Sequence, residues 1–174
     1  VVLNIDSGPS IYHDSNYDAP LADARAAGMR IAGYIATGYG TRSPEAVIEE
    51  MERYREWYGV TSFFLDEADW QPDSLETYRA MATYARTMGG TVVLNFGYPP
   101  HPGYLDIGDV LIVFEGPRTL FEGYQLPAWM ADYPVDRFGV IVYGVPPEKV
   151  DTTLALAGAA NVGYVWLTDA PYYE

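Results

Sequence analysis

Cysteine is absent from the 174 residues of the chain, and histidine occurs only at His13 and His101. The chain therefore has no disulfide framework and no cysteine nucleophile, and two histidines argue against a histidine-rich zinc site. No apolar run approaches the ~20 residues that a membrane-spanning helix needs. No signal peptide precedes the first apolar segment, VVLNID. These absences leave the cellular compartment open.

Basic residues are scarce, because ten Lys and Arg stand against 24 Asp and Glu and give a formal net charge of −14 at pH 7. Such a surface repels phosphates and anionic lipid head groups, so neither nucleic acid nor a membrane is an expected partner. A cationic substrate would be attracted, although an acidic surface more often serves solubility. Aromatic residues make up 15% of the chain, with 16 tyrosines, which suit sugar-binding surfaces and ordinary cores alike.

Short strand-like segments alternate with helical patterns along most of the chain. The predicted strands are 1–6, 30–37, 61–67, 91–97, 109–116, 138–144 and 162–169. The predicted helices are 17–27, 43–59, 73–90 and 146–160, with a weaker pattern over 117–131. Alternation at this spacing predicts parallel βαβ units within a single domain, residues 1–174.

Helix boundaries carry the usual signals. Ser43 and Asp73 are predicted N-caps, and Pro44 is at the first helical position. Gly59 and Gly89 follow the last residues of two predicted helices, where glycine commonly ends a helix.

The alternation predicts an α/β fold of the TIM-type (β/α) barrel, with a doubly wound open sheet as the rival. No GxGxxG follows the first strand and no GxxxxGK[ST] occurs, so nucleotide-binding versions lose support. A complete barrel has eight strands and usually ~200 residues or more, whereas seven strands are counted here. We therefore expect the first βα unit to be missing or truncated.

Polar side chains gather at the predicted carboxyl ends of the strands, where the βα loops of a parallel barrel build its active site. The candidate substrate-binding residues at these ends are Asn4, Ser7, Tyr39, Arg42, Asn95, Tyr98, Tyr143 and Trp166. The amino ends of the same strands carry no comparable cluster of polar side chains. The pattern indicates a functional mouth at one end of the sheet.

Carboxylates from different strands are the candidate catalytic groups. Asp66 and Glu115 are placed to face each other, as in a glycosidase, where one acid protonates the leaving oxygen and the other stabilises or attacks the anomeric carbon. Glu67 adjoins Asp66, but neighbouring strand residues point to opposite faces, so both reach the mouth only if the strand curls at its end. The alternative is that an acid is a solvated loop residue or the partner of Arg42. Carboxylates also bind Mg²⁺ or Ca²⁺, but no DxDxDG spacing is present, so no metal or cofactor is predicted.

Five segments resemble the spherulin-4-like family (spherulation-specific family 4), in the order of that family and over about two-thirds of the chain. They are VVLNIDSGPS at 1–10, GYIATGYGTRS at 33–43, FFLDEA at 63–68, VVLNFG at 92–97 and VLIVFE at 110–115. The first strand of the family and its Tyr/Pro-rich loop have no counterpart here. The chain also reads NIDSGP where the family favours NPNSGPG, and NFG where it favours NPG.

The resemblance implies a (β/α) barrel related to glycoside hydrolase family 135, whose members cleave α-1,4-linked N-acetylgalactosamine or galactosamine in secreted and biofilm exopolysaccharides. It implies a secreted or cell-surface protein that acts as an endo-acting glycosidase on an aminosugar polysaccharide. Carried over by position, Asp66 is the nucleophile or charge stabiliser and Glu115 the general acid/base. Glu67 is then an orienting or alternate acid.

Two other functions stay open at this stage. A polysaccharide-binding module would keep the mouth without turnover, and a barrel hydrolase of different chemistry would use a metal. The stereochemical outcome of a glycosidase depends on the carboxyl separation, which is ~5 Å for retention and ~6.5–9.5 Å for inversion. The oligomeric state does not follow from the sequence.

Overall fold

Seven parallel strands form one curled sheet in the computed structural model, which describes residues 1–171. The strands are β1 (Val2–Leu3), β2 (Ala32–Ala36), β3 (Ser62–Asp66), β4 (Val92–Asn95), β5 (Val110–Pro117), β6 (Phe138–Tyr143) and β7 (Tyr164–Leu167). Each strand pairs with the next in sequence, so the spatial order is β1 to β7. Within residues 1–171, β1 and β7 are not paired with each other. The sheet is therefore a curled half-barrel, and the parallel α/β prediction is confirmed while a closed barrel is not.

Helices connect most of the strands. They are α1 (Asp18–Ala26), α2 (Pro44–Tyr58), α3 (Leu75–Thr87), α4 (Arg118–Phe121) and α5 (Val150–Ala159). A 3₁₀ turn, Pro102–Asp106, precedes β5 in place of an α-helix. The weak pattern over 117–131 corresponds to α4 and to a second 3₁₀ turn, Ala128–Asp132. Among the helices that the structure describes, none is long and apolar enough to cross a membrane.

The helix caps agree with the sequence in part. The Ser43 hydroxyl accepts a hydrogen bond from the backbone N–H of Ala46, and Gly59 ends α2 in the left-handed conformation at φ 61°. The prediction for Asp73 is wrong, because Asp73 lies within a 3₁₀ turn and α3 begins only at Leu75. Pro72 starts this turn, and the α-helix begins two residues after Asp73.

The hydrophobic core lies between the convex face of the sheet and the helices. Phe63 and Leu65 of β3 point to this side and are fully buried. Residues that alternate with them face the concave side, where Tyr34 and Phe64 are only partly buried and Trp166 is 53% exposed. Because the sheet does not close on itself, its concave face surrounds an accessible cavity of about 660 Å³.

A β-bulge in β5 decides which way Glu115 points. Ile112 pairs with Gly139, but Phe114 pairs with Val140, so two residues of β5 stand opposite one residue of β6. The extra residue reverses the alternation of faces along the strand. Ile112 and Glu115 consequently line the same concave cavity, although their spacing would place them on opposite faces of a regular strand.

Candidate functional site

A row of hydrogen-bonded side chains crosses the carboxyl ends of five consecutive strands. Its members are Tyr34 on β2, Asp66 on β3, Asn95 on β4, Glu115 on β5 and Tyr143 on β6. Since parallel strands end at the same edge of the sheet, one residue from each strand is enough to build this row.

The amide of Asn95 connects the two carboxylates. Its nitrogen Nδ2 donates to Asp66 Oδ1 at 2.7 Å and to Glu115 Oε2 at 2.6 Å. Its oxygen Oδ1 accepts from the backbone N–H of Gly97 at 3.0 Å. Because both carboxylate oxygens bond to the same nitrogen at 2.7 and 2.6 Å, they are no more than about 5.3 Å apart.

A tyrosine hydroxyl bonds to the remaining oxygen of each carboxylate. Tyr34 Oη donates to Asp66 Oδ2 at 2.7 Å, and Tyr143 Oη donates to Glu115 Oε1. Burial, followed by the hydrogen bond to Asp66 and its negative charge, raises the pKa of Tyr34 above its ordinary value. Tyr34 therefore remains a protonated donor in the physiological pH range.

A cavity of about 450 Å³ lies at the mouth of the sheet, above the row. Its lining residues are Tyr39, Asp66, Glu67, Asn95, Phe96, Gly97, Glu115, Gly116 and Pro117. Asp66, Asn95 and Glu115 also line the concave cavity, so the row lies between the two spaces. Within residues 1–171, three carboxylates line the mouth, and neither Lys nor Arg lines either space.

A turn after β3 brings Glu67 into the mouth beside Asp66. Glu67 has φ 52°, in the left-handed region that residues other than glycine seldom occupy. Because of this turn, two adjacent acids line the same space, as expected if the strand curls at its end.

Thr37 holds this turn in place from the end of β2. Its buried hydroxyl bonds to the backbone carbonyls of Asp66 and Glu67 at 2.9 and 2.8 Å, and it lies 2.8 Å from the hydroxyl of Tyr78. The backbone N–H of Tyr39 adds a bond to the Glu67 carbonyl at 2.7 Å. A strained residue persists only where its surroundings hold it, and these contacts supply that support.

The family model for spherulation-specific family 4 matches residues 1–174. The chain belongs to spherulation-specific family 4. Spherulin-4 of Physarum polycephalum is 33% identical over 118 residues, which is 66% of this chain and 36% of that protein. The chain thus spans little more than a third of the length of this curated relative.

A solved structure shares the fold of this family member. The crystal structure of Aspergillus clavatus Sph3 in complex with GalNAc matches with a TM-score of 0.86 and 25% sequence identity. The match covers 99% of this chain and 78% of the Sph3 chain. The half-barrel described above is therefore close to the fold of a protein that binds GalNAc.

Most of the candidate residues lie around the two cavities. Tyr39 lines the mouth, while Asn4, Tyr143 and Trp166 line the concave side. The rings of Tyr143 and Trp166 lie 6.0 Å apart, nearly edge to face. Tyr98 follows Gly97 of the mouth and is 56% exposed.

Two candidates do not join the site. Arg42 forms an ion pair with Glu50 of α2 at 2.5 Å and donates to the Ala36 carbonyl, so it is not the partner of Asp66 or Glu67. Ser7 is exposed and lines neither cavity. Both residues lie in loops after strand ends, and position at a strand end alone did not indicate where their side chains point.

Sequence reasoning overlooked two residues of this family member, Tyr34 and Trp70. Tyr34 was available from the alternation of β2, which places it on the same face as Ala36. Trp70 packs against Tyr98 with ring centroids 6.2 Å apart and is 42% exposed. The signal for Trp70 in the sequence was a tryptophan four residues after the catalytic candidate Asp66.

Within residues 1–171, no group of three or more acidic, histidine or cysteine side chains is arranged to hold a metal ion.

Replacing Thr37 by valine tests the support of the Glu67 turn. Valine keeps the side-chain volume but leaves two backbone carbonyls and the Tyr78 hydroxyl without this partner. We expect the free energy of unfolding, measured by urea denaturation, to fall by about 1–3 kcal/mol. Thr37→Ser keeps the hydroxyl and should cost only the lost methyl, about 0.8 kcal/mol. Equal losses in both variants would contradict the role assigned to the hydroxyl.

Proposed function

We propose that the chain is an endo-acting glycoside hydrolase that cleaves an α-1,4-linked N-acetylgalactosamine or galactosamine polysaccharide, with Asp66 and Glu115 as the catalytic pair. The observation that carries this proposal is the bridge through Asn95, which brings two carboxylates from separate strands within about 5.3 Å of each other. Membership of spherulation-specific family 4 and the fold shared with a GalNAc-binding protein support a carbohydrate ligand.

The shared Asn95 nitrogen limits the distance between Asp66 Oδ1 and Glu115 Oε2 to about 5.3 Å, and on this ground we propose a retaining, double-displacement reaction. Retaining glycosidases have carboxyl groups ~5–5.5 Å apart, whereas inverting enzymes leave room for a water molecule between them. In the first step Glu115 gives its proton to the leaving glycosidic oxygen while Asp66 attacks the anomeric carbon and forms a glycosyl ester. In the second step Glu115 takes a proton from water, and that water releases the sugar from Asp66.

Glu67 has a different environment from the catalytic pair. It lines the mouth but takes no part in the hydrogen-bonded row. With Asp66 and Glu115 assigned to the reaction, Glu67 is left as the acid that orients the substrate or replaces a catalytic partner. Its charge, added to the net charge of −14, favours a polymer that carries free amino groups.

Exposed aromatic rings at two places support a polymeric substrate. Trp70 and Tyr98 follow β3 and β4, while Trp166 belongs to β7. Glu115 on β5 lies between these two places in the order of the sheet, and Asp66 ends β3 beside the first of them. Flat rings at more than one place around the carboxylates suit the stacking of several sugar units, as an endo-acting enzyme requires. Action on an exopolysaccharide, including that of a biofilm, implies a secreted or cell-surface protein.

A polysaccharide-binding role without turnover is the second candidate. It is favoured by the open edge between β1 and β7, which leaves the concave side of the catalytic row accessible. A site open to water on that side would hold a sugar with less control over the reacting atoms.

The variants Asp66→Asn and Glu115→Gln test the catalytic assignment. Each keeps the size of the side chain, and the new amide can still accept from Asn95 while the tyrosine hydroxyl turns to accept. We therefore expect the fold to remain while release of oligosaccharides falls by at least about 10²-fold. Mass spectrometry after incubation with a galactosamine-containing exopolysaccharide measures the release.

Glu76→Gln is the matched control, because Glu76 is an exposed acid on α3. Full activity in both Asp66→Asn and Glu115→Gln would rule out this pair. Sugar binding by the unaltered protein without any release of oligosaccharides would favour the binding role instead.

The variant Trp70→Ala tests the aromatic subsite beside β3 and β4. Loss of one stacked sugar, worth about 1 kcal/mol, should raise KM for the polymer about five-fold. Cleavage of a short oligosaccharide that fills only the mouth should be unchanged. Tyr133→Ala removes an exposed ring just before β6, at the amino end of the strands, and is the control. An equal loss on polymer and short substrate would show that Trp70 acts through the structure of the mouth.

A further inference from the structure

We propose that Tyr34, Asn95 and Tyr143 are positioning residues that hold the two carboxylates through dedicated hydrogen bonds, and that none of the three is a sugar-binding residue. The inference rests on the proposed function for its catalytic meaning. It changes the role that the sequence indicated for Asn95 and Tyr143, and it adds Tyr34 to the site.

Asn95 has no donor left for a sugar. Both of its N–H groups are directed to carboxylates, and its oxygen accepts from Gly97 N. The residue is only 4% exposed. A substrate hydroxyl would have to displace a bond to Asp66 or Glu115, which are charge-assisted acceptors and therefore the stronger partners.

The two tyrosines use their single hydroxyl proton in the same way. Tyr34 donates to Asp66, and Tyr143 donates to Glu115. Each of the four carboxylate oxygens thus accepts one hydrogen bond from the row. Both carboxylates accept a hydrogen bond from Asn95, and each accepts a second one from a different tyrosine. Removing the Tyr34 hydroxyl takes a donor from Asp66, and removing the Tyr143 hydroxyl takes a donor from Glu115.

The other titratable groups that line the two cavities are Glu67 and the hydroxyls of Tyr39 and Tyr164. Among the residues that the structure describes, no basic residue lines either space. Hydrogen-bond donors, rather than a neighbouring cation, are therefore the groups that contact the two carboxyl groups. Loss of a donor makes the ionised form less favourable, so the affected carboxylate takes up its proton at a higher pH.

The test is a ¹³C NMR titration of the side-chain carboxyl carbons in the full chain, which does not require turnover. Signals are assigned with Asp66→Asn and Glu115→Gln. In Tyr34→Phe we expect the titration midpoint of Asp66 to rise by about one pH unit, with a smaller change for Glu115. Tyr143→Phe should show the reverse, and Asn95→Ala should raise both midpoints.

Tyr104→Phe is the matched control. It removes a hydroxyl from a fully buried tyrosine, but that hydroxyl bonds to the backbone carbonyl of Gln71 and not to the row. We expect both carboxylate midpoints to stay in place. If Asn95→Ala does not fold, the two phenylalanine variants still decide the question.

The pH profile of hydrolysis gives a second, catalytic readout. If Asp66 is the nucleophile, Tyr34→Phe moves the acidic limb of the profile to higher pH, because Asp66 must be ionised to attack. Tyr143→Phe moves the alkaline limb to higher pH, because Glu115 must be protonated to donate.

The outcomes separate this inference from the proposed function. The positioning role is overturned if the titration midpoints of the two carboxyl groups do not move in Tyr34→Phe and Tyr143→Phe. It is also overturned if they move by the same amount in the Tyr104→Phe control. Selective shifts in a protein that hydrolyses nothing would support the row and refute the catalytic assignment.

Discussion

One side-chain amide, that of Asn95, joins two carboxyl groups from separate strands, since its nitrogen donates to both Asp66 and Glu115. The amide can do so only if β3, β4 and β5 end at the same level and turn the three side chains to one face. The site therefore depends on the register of the sheet as much as on the residues themselves. A slip of one residue in any of these strands would turn its member of the row toward the helices.

Two local irregularities of the backbone direct acidic side chains of the site into the cavity. The bulge in β5 reverses the alternation and turns Glu115 to the concave side, and the left-handed turn at Glu67 adds a third carboxylate to the mouth. Both are held from outside the strands that contain them, the turn by Thr37 and the bulge by its pairing with β6. Regular strands would have placed fewer acids in the cavity.

The sequence was sufficient to predict what depends on alternation and caps, namely seven parallel strands, the helix beginning at Ser43, and the grouping of Asp66, Asn95 and Glu115. It did not reveal what depends on tertiary contacts. A bulge between Ile112 and Phe114 cannot be recognised within a continuous run of apolar residues. Arg42 pairs with Glu50 because helix α2, which contains Glu50, lies beside its loop. The start of α3 was placed at Asp73 because a capping residue in sequence does not show that a 3₁₀ turn comes first. Tyr34 and Trp70 could have been predicted from the sequence, but only the last residues of each strand were candidates.

Asn95 bridges Asp66 and Glu115, and we propose that the two carboxyl groups are close enough for Asp66 to attack the sugar directly. The configuration of the first product reports this separation directly, because only the short spacing permits a covalent intermediate. ¹H NMR of an α-linked galactosamine oligosaccharide, recorded immediately after addition of the protein and before mutarotation, distinguishes the two cases. We predict that the α-anomer is released first. Initial release of the β-anomer would contradict the account.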